Sequence, residues 1–396
     1  MQDKEQTGKP MDDKGSNADH HFHHHPNLKE MEQKMHIDPK SEKHLVDLKE
    51  IMEYEEDESM EGHESDEVVF ELDNISVGYG KKVIIDGLSA KIHRNDFVVV
   101  LGPNGCGKST LIKTLCRIHN PISGIVKYKG KLISRPLLPT LWFQWIGHRI
   151  ANAFTKDRKK VIETLKWHMD NYKKVGAYKS KELALDLAYV PQLANFPEAT
   201  SVYDFVKMGR FPSSNALGIN TNHEREKYII ETALKHVGIY DLRDYNLEDL
   251  SGGQRQKALI ALSLAQDTET IVLDEPTNHL DIRSQLEIIE LLHKLHHKMK
   301  KTIIIVIHDI NNGLKYAHKV MIMKKGQLMR YGKVKEVIDK QILLDVFGVD
   351  SIIFKNPQDN VYPPVTVTDF SLPATFKEEH KAEMDKETSE EDEADF

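Results

Sequence analysis

FVVVLGPNGCGKST, residues 97–110, is the stretch on which the fold turns. Five apolar, mostly β-branched residues read as a buried strand. They run directly into Gly102–Ser109, which satisfies G-x-x-x-x-G-K-[ST] at every position, and a helical stretch follows Lys108. A strand that ends in a glycine-rich turn and reopens as a helix aims consecutive backbone N–H groups and the positive end of the helix at one point, which suits a phosphate chain. Gly102, Gly105 and Gly107 let the main chain approach the oxygens closely, with Pro103, Asn104 and Cys106 between them. Lys108 reaches the outer phosphates, and Ser109, followed by Thr110, supplies a hydroxyl for Mg2+. Cys106 reads as a small loop residue rather than a reactive thiol. The motif at this junction predicts a nucleotide site.

Working outward, residues 68–96 read as short β-branched strands separated by turns at Gly78, Gly80, Gly87 and Asn95-Asp96. IVKYKGKLI (125–133) reads as a strand pair and LALDLAYVPQ (183–192) as a strand ending at a proline. SVYDFVKMGR (201–210) and EREKYIIETALKHVG (224–238) have helical spacing, with Gly238 as the stop, and another helix begins after Ser251. ETIVLDEP (269–276) and TIIIVIHD (302–309) are buried strands flanking the amphipathic helix SQLEIIELLHKLHHKMK (284–300). Strands alternating with helices predict an α/β layered fold with a mainly parallel sheet.

Two further stretches carry chemistry. TIVLDEP sets Asp274 and Glu275 at the end of an apolar strand, where Asp274 is suited to hold Mg2+ and Glu275 to polarise an attacking water. In LSGGQRQ (250–256), Ser251 looks like an N-cap beside two glycines, a second anion-binding helix start in one chain. With this motif the sequence resembles the ATP-binding-cassette (ABC) family over roughly residues 68–350, its motifs in the family's order. The resemblance implies a P-loop NTPase, RecA-like nucleotide-binding domain with an antiparallel β subdomain and a helical signature subdomain. It implies that Tyr79 in VGYG stacks on adenine. It makes Ser251, Gly252, Gly253 and Gln254 the signature and Asp281 in NHLD the D-loop aspartate. Gln192 in YVPQ would contact Mg2+ and the attacking water, and His308 in VIHD would sit near the γ-phosphate. It also implies ATP and Mg2+ as ligands and two ATPs held between two cassettes, most simply a homodimer.

Phrases such as SVYDFVKMGRFP and HDINNGLKYAHKVMIMKKGQLMRYG resemble the importer ATPases for iron–siderophores, haem and cobalamin. That likeness implies a peripheral subunit on the cytoplasmic face of the cell membrane, two permease subunits and an extracellular or periplasmic substrate-binding protein. Zinc and manganese importers are close relatives and stand as the alternative. A soluble, non-transport cassette ATPase acting on ribosomes or nucleic acid is a further alternative; two fused cassettes or a long coiled coil would favour it, and the sequence has neither. No nucleic-acid partner is expected.

Composition divides the chain further. The net charge of −8 hides 20 acidic against 8 basic residues in 1–67 and 10 against 3 in 377–396, which leaves +11 for residues 68–376. Both ends are too charged and too poor in aromatics to fold alone, so 1–67 and 377–396 are expected to be disordered tails, with 351–376 a C-terminal extension. No apolar run approaches the length of a membrane span, no signal-peptide core opens the chain, and two cysteines supply no disulfide framework, which fits a reducing compartment. DHHFHHHPN (19–27) brings His20, His21, His23, His24 and His25 together, either as a solvated tail or as a metal buffer. Between Lys108 and Gln192 lies an insertion at about 134–178, basic and tryptophan-bearing (Trp142, Trp145, Trp167), with apolar residues at helical spacing. It reads as two amphipathic helices packed on their own domain, as a surface against the membrane or permease, or as a nucleic-acid contact.

Overall fold

A computed structural model describes residues 65–80, 82–133, 178–192, 196–214, 222–349, 351–354 and 365–368. The histidine cluster at 19–27, the acidic tail 377–396 and the insertion from 134 to 177 lie outside the described residues.

The chain enters as β1 (Val68–Tyr79) and β2 (Lys82–His93), an antiparallel pair of twelve-residue strands rather than several short ones. Gly78 and Gly87 fall inside these strands because the pairing absorbs them at register shifts instead of turning. A Cβ at Gly78 would lie 2.1 Å from the carbonyl oxygen of Lys82, so the close cross-strand approach needs glycine. The turn at Asn95-Asp96 is as expected: Asn95 has φ 61°, and Asp96 accepts a hydrogen bond from the His93 N–H at 2.8 Å. β3 (Phe97–Leu101), α1 (Lys108–Leu115), β4 (Ser123–Tyr128) and β5 (Lys131–Leu132) follow, and β2, β1, β4 and β5 form one four-stranded antiparallel sheet in that order. The chain is next described at Tyr178, whose N–H donates to the Leu132 carbonyl at 2.9 Å; the Arg117 guanidinium donates to the Tyr178 carbonyl at 2.9 Å.

LALDLAYVPQ is only partly a strand. Leu183 and Ala184 close the one-turn helix α2 (Ser180–Ala184), and the strand β6 is Leu187–Val190. One apolar helical turn and one apolar strand cannot be told apart by periodicity, and the Glu182 carboxylate, accepting from the Lys179 N–H, starts the helix. α3 (Val202–Lys207) is capped by the Ser201 hydroxyl, which accepts from the Asp204 N–H, and tightens into a 3-10 turn over Met208–Ser213. Then come α4 (His223–His236), α5 (Gly252–Ala265), β7 (Thr270–Leu273), α6 (Ile282–Met299), β8 (Thr302–Val306), α7 (Ile310–Tyr316), β9 (Lys319–Lys324), β10 (Gln327–Lys333), α8 (Val334–Val337) and α9 (Lys340–Phe347). A hairpin of β11 (Ser351–Phe354) and β12 (Val365–Thr368) forms part of the C-terminal extension.

The second sheet runs β10-β9-β3-β8-β7-β6, parallel except for the edge strand β10. Its middle strands are buried on both faces, as parallel strands covered on both sides require. Phe97, Val99 and Leu101 of β3 point into one core with Ile303 and Ile305 of β8 and the apolar residues of α4, α5 and α6. Val98 and Val100 point into the other, with Ile304, Val306 and the antiparallel sheet. Ligands in such sheets bind beyond the carboxyl ends of the strands, and here those ends carry Gly102 (after β3), Gln192 (after β6), Asp274 (after β7) and His308 (after β8).

Burial also makes the fold acid-sensitive. It pushes His236 and His293 from 6.5 down to about 4, and His296, whose Nδ1 lies 2.9 Å from the Lys301 carbonyl, well below 6.5. Neither ring nitrogen of His236 has a hydrogen-bond partner among the described residues. Unfolded histidines take up protons near pH 6.5, whereas these hold off until about pH 4. Their contribution to stability is therefore complete above about pH 6.5 and falls as pH drops toward 4, by on the order of 3 kcal/mol per histidine. Urea unfolding should show a clearly lower midpoint at pH 5 than at pH 7; equal midpoints would remove this account.

Candidate functional site

The glycine loop between β3 and α1 has the backbone a phosphate cradle needs. Gly102, Gly105 and Gly107 have φ of 156°, 73° and 104°. A Cβ at Gly102 would meet the Met323 carbonyl oxygen at 2.3 Å and the Cys106 sulfur at 2.7 Å. Gly107 is the N-cap of α1 and brings no side chain to its first N–H groups, so those donors remain for a ligand. Lys108 is buried, and its ammonium donates to the carbonyls of Gly102 at 2.8 Å and Pro103 at 3.0 Å, lying back over the loop. Burial pushes the Cys106 thiol up, with Lys108 opposing, so the thiol stays protonated and packs.

Asp274 follows β7, its N–H donating to the Val190 carbonyl at 2.9 Å. It is buried, and its Oδ1 finds no partner among the described residues; Ser109 of the phosphate loop stands close enough to act on its carboxyl. Burial raises its carboxyl above the usual range; Ser109 pulls it back, and the neighbouring Glu275 adds to the rise. A buried carboxylate oxygen without a partner, beside the Ser109 hydroxyl of the phosphate loop, matches the hard oxygen donors that Mg2+ takes.

Glu275 is the meeting point. Its φ of 50° is unusual for a residue with a side chain. Gln192 Nε2 donates to Glu275 Oε2 at 2.6 Å, Asn278 Nδ2 donates to the same oxygen, and His308 Nε2 lies 2.7 Å from Oε1. Gln192, Glu275 and His308, assigned separately along the sequence, thus converge. Asn278 was missed. Its position was legible as the last residue of a four-residue turn begun by Glu275, closed by the Asn278 N–H to the Glu275 carbonyl at 3.2 Å.

Tyr79 is 50% exposed at the end of β1 and stacks on the His119 ring, centroids 4.3 Å apart and planes 25° from parallel. His119 also lay outside the sequence reading. The signature forms a second cluster. The Ser251 hydroxyl accepts from the Gln254 N–H at 3.3 Å, and the Gln254 side chain accepts from the Ser251 N–H at 2.9 Å, a reciprocal cap on α5. Ser251 and Gly252 are exposed, and Ser284 lies under Gly253 at 2.9 Å from where a Cβ would stand. Asp281 caps α6, accepting from the Ser284 N–H at 2.9 Å and the Ser284 hydroxyl at 2.7 Å. Among the described residues no side-chain hydrogen bond joins this cluster to Glu275 or to the phosphate loop. The fold brings together the phosphate loop, Gln192, Asp274, Glu275 and His308, and holds Ser251–Gln254 with Asp281 apart from them.

Known proteins resemble this chain over most of its length. The profile of the family described as ABC transporter matches residues 85–278. The iron(3+)-hydroxamate import ATP-binding protein FhuC of Bacillus subtilis is 34% identical over 296 residues, 75% of this chain and 93% of that protein. A probable siderophore transport system ATP-binding protein of the same organism, YusV, is 35% identical over 285 residues, 72% of this chain and 88% of its own. The fold of a metal-chelate-type ABC transporter solved in an inward-facing conformation superposes with a TM-score of 0.58 at 24% identity, over 77% of this chain and 98% of that one. Matched across nine-tenths of a relative's length, the chain belongs to the ABC transporter family: it is an ATP-binding subunit and an ATPase.

Proposed function

We propose that the chain is the ATP-hydrolysing subunit of a membrane importer for an iron chelate, a siderophore complex in the first instance. Convergence of Gln192, Asn278 and His308 on Glu275, beside the Ser109–Asp274 pair, supports the reaction. The siderophore-import names of FhuC and YusV support the cargo class.

ATP lies with its phosphates against the N–H groups of the glycine loop and the start of α1, Lys108 swinging from the loop carbonyls to the outer phosphates. Ser109, Asp274 and the side-chain oxygen of Gln192 would hold Mg2+, which when bound would neutralise charge on the phosphate oxygens. Glu275 accepts the proton of the attacking water, and His308, already on its other oxygen, keeps the carboxylate oriented. Exposed Ser251 and Gly252 present the N-terminus of α5 to the ATP of a second copy, so that each site is completed by two chains. Among the described residues no helix is long and apolar enough to cross a membrane. The transport path then belongs to two permease subunits that receive cargo from an extracellular binding protein, with this chain peripheral on the cytoplasmic side.

Disrupting the gene should abolish uptake of radioactive iron supplied as a ferric hydroxamate, and Glu275→Gln supplied in its place should not restore it. Iron uptake at the parental level with loss of zinc or manganese uptake would overturn the cargo class and favour the alternative.

A further inference from the structure

We infer that His119 is a positioning residue for the nucleotide base, acting through Tyr79; this rests on the reading of Tyr79 as the adenine platform. The two rings form a near-parallel stack, centroids 4.3 Å apart and planes at 25°. Ring pairs in that arrangement contribute beyond the area they bury. The stack covers one face of Tyr79, yet half of the residue remains exposed, which leaves surface for a planar ligand. His119 is itself fixed from two sides. Its Nε2 lies 2.9 Å from the carbonyl of Gly78, the residue before Tyr79, and its N–H donates to the Lys113 carbonyl at 3.1 Å.

Those contacts link the two ends of the nucleotide site. Lys113 belongs to α1, the helix whose first residues follow the phosphate loop. The Ile118 N–H donates to the same Lys113 carbonyl at 2.8 Å, so the segment after α1 folds back onto the helix instead of trailing away. α1 is a rigid strut of about 12 Å, eight residues at 1.5 Å each. Phosphate loop, strut, His119 and Tyr79 therefore form one continuous path, and His119 is the link whose ring stacks on the aromatic platform. Freed from His119, the Tyr79 ring would stand exposed at the end of β1 and would have to be ordered by each nucleotide that binds, at a cost in affinity. Because that cost falls on the base and not on the phosphates, His119 contributes to selection of a nucleotide over a bare polyphosphate.

The experiment measures equilibrium binding of ATP and of inorganic tripolyphosphate, both with Mg2+, to the full-length chain. Wild type is compared with His119→Ala, His119→Phe and Tyr79→Ala. His119→Ala is expected to weaken ATP about 3- to 10-fold and to leave tripolyphosphate unchanged, so the preference for ATP falls by that factor. His119→Phe, which keeps the ring and loses the bond to Gly78, is expected to recover most of it. A general structural defect would weaken both ligands together, and that outcome overturns the proposal. So does a preference in His119→Ala within twofold of wild type when Tyr79→Ala loses it. If Tyr79→Ala itself retains the full preference, the reading of Tyr79 as the platform fails, and the role of His119 with it.

Discussion

Glu275→Gln is expected to lower ATP hydrolysis at least about 100-fold while leaving ATP bound, so that ATP-loaded dimers accumulate. The amide keeps the shape of the carboxylate, and its oxygen can still accept from Gln192 Nε2 and Asn278 Nδ2. What it loses is the capacity to take a proton from water. Burial around the strand ends is unchanged, since Glu275 is already covered and the substitution adds no atoms beyond the amide hydrogens. The expected pattern is unchanged ATP affinity, collapsed turnover, and an ATP-dependent shift to twice the mass in gel filtration. Hydrolysis at the wild-type rate would take the role of base away from Glu275.

Lys108→Ala is expected to act on binding instead. Truncating one member of a buried charged pair costs about 2–5 kcal/mol, a loss of about 30-fold to several-thousand-fold in ATP affinity. The free protein should barely notice. The Lys108 ammonium is buried against two backbone carbonyls, and removing a cation from such a place removes a desolvation penalty along with two hydrogen bonds. Tm without nucleotide should therefore stay near the wild-type value, while the rise in Tm on adding ATP disappears. A large fall in the nucleotide-free Tm would mean that Lys108 holds the loop together rather than the phosphates.

These two side chains also mark how far the sequence could be read. Lys108 announces itself, because the spacing of glycine, lysine and serine between a strand and a helix is dictated by backbone geometry local to eight residues. The central strands are equally legible: FVVVL and TIIIV are buried on both faces, and unbroken apolar runs have that meaning in a parallel sheet. The convergence on Glu275 is a different matter. Gln192 lies 83 residues before it and His308 lies 33 after it, and only the order of strands in the sheet brings them within hydrogen-bond reach. Without the family resemblance, strand order would not have been available. His119 escaped because it acts by touching a neighbour already assigned, a contact that no periodicity encodes; Asn278 could be placed by the turn that Glu275 begins, but nothing in those residues marks its amide as bound for the carboxylate. The merged β1 and β2 were misjudged because glycine signals turns and bulges alike, and cross-strand pairing decides between them.

The bond between the Tyr178 N–H and the Leu132 carbonyl has a consequence for how this protein can change. Leu132 and Tyr178, far apart in the chain, are joined by this one backbone hydrogen bond, and Arg117 steadies it from the Tyr178 carbonyl. The described body is thus closed on itself at this point. Closure entropy rises only about 0.6 kcal/mol for each doubling of a flexible loop's length, so chain ends joined in this way tolerate connections of different length at nearly the same stability. A joint of this kind holds the described ends by their own hydrogen bonds, so their pairing does not depend on the length of chain that separates them in sequence.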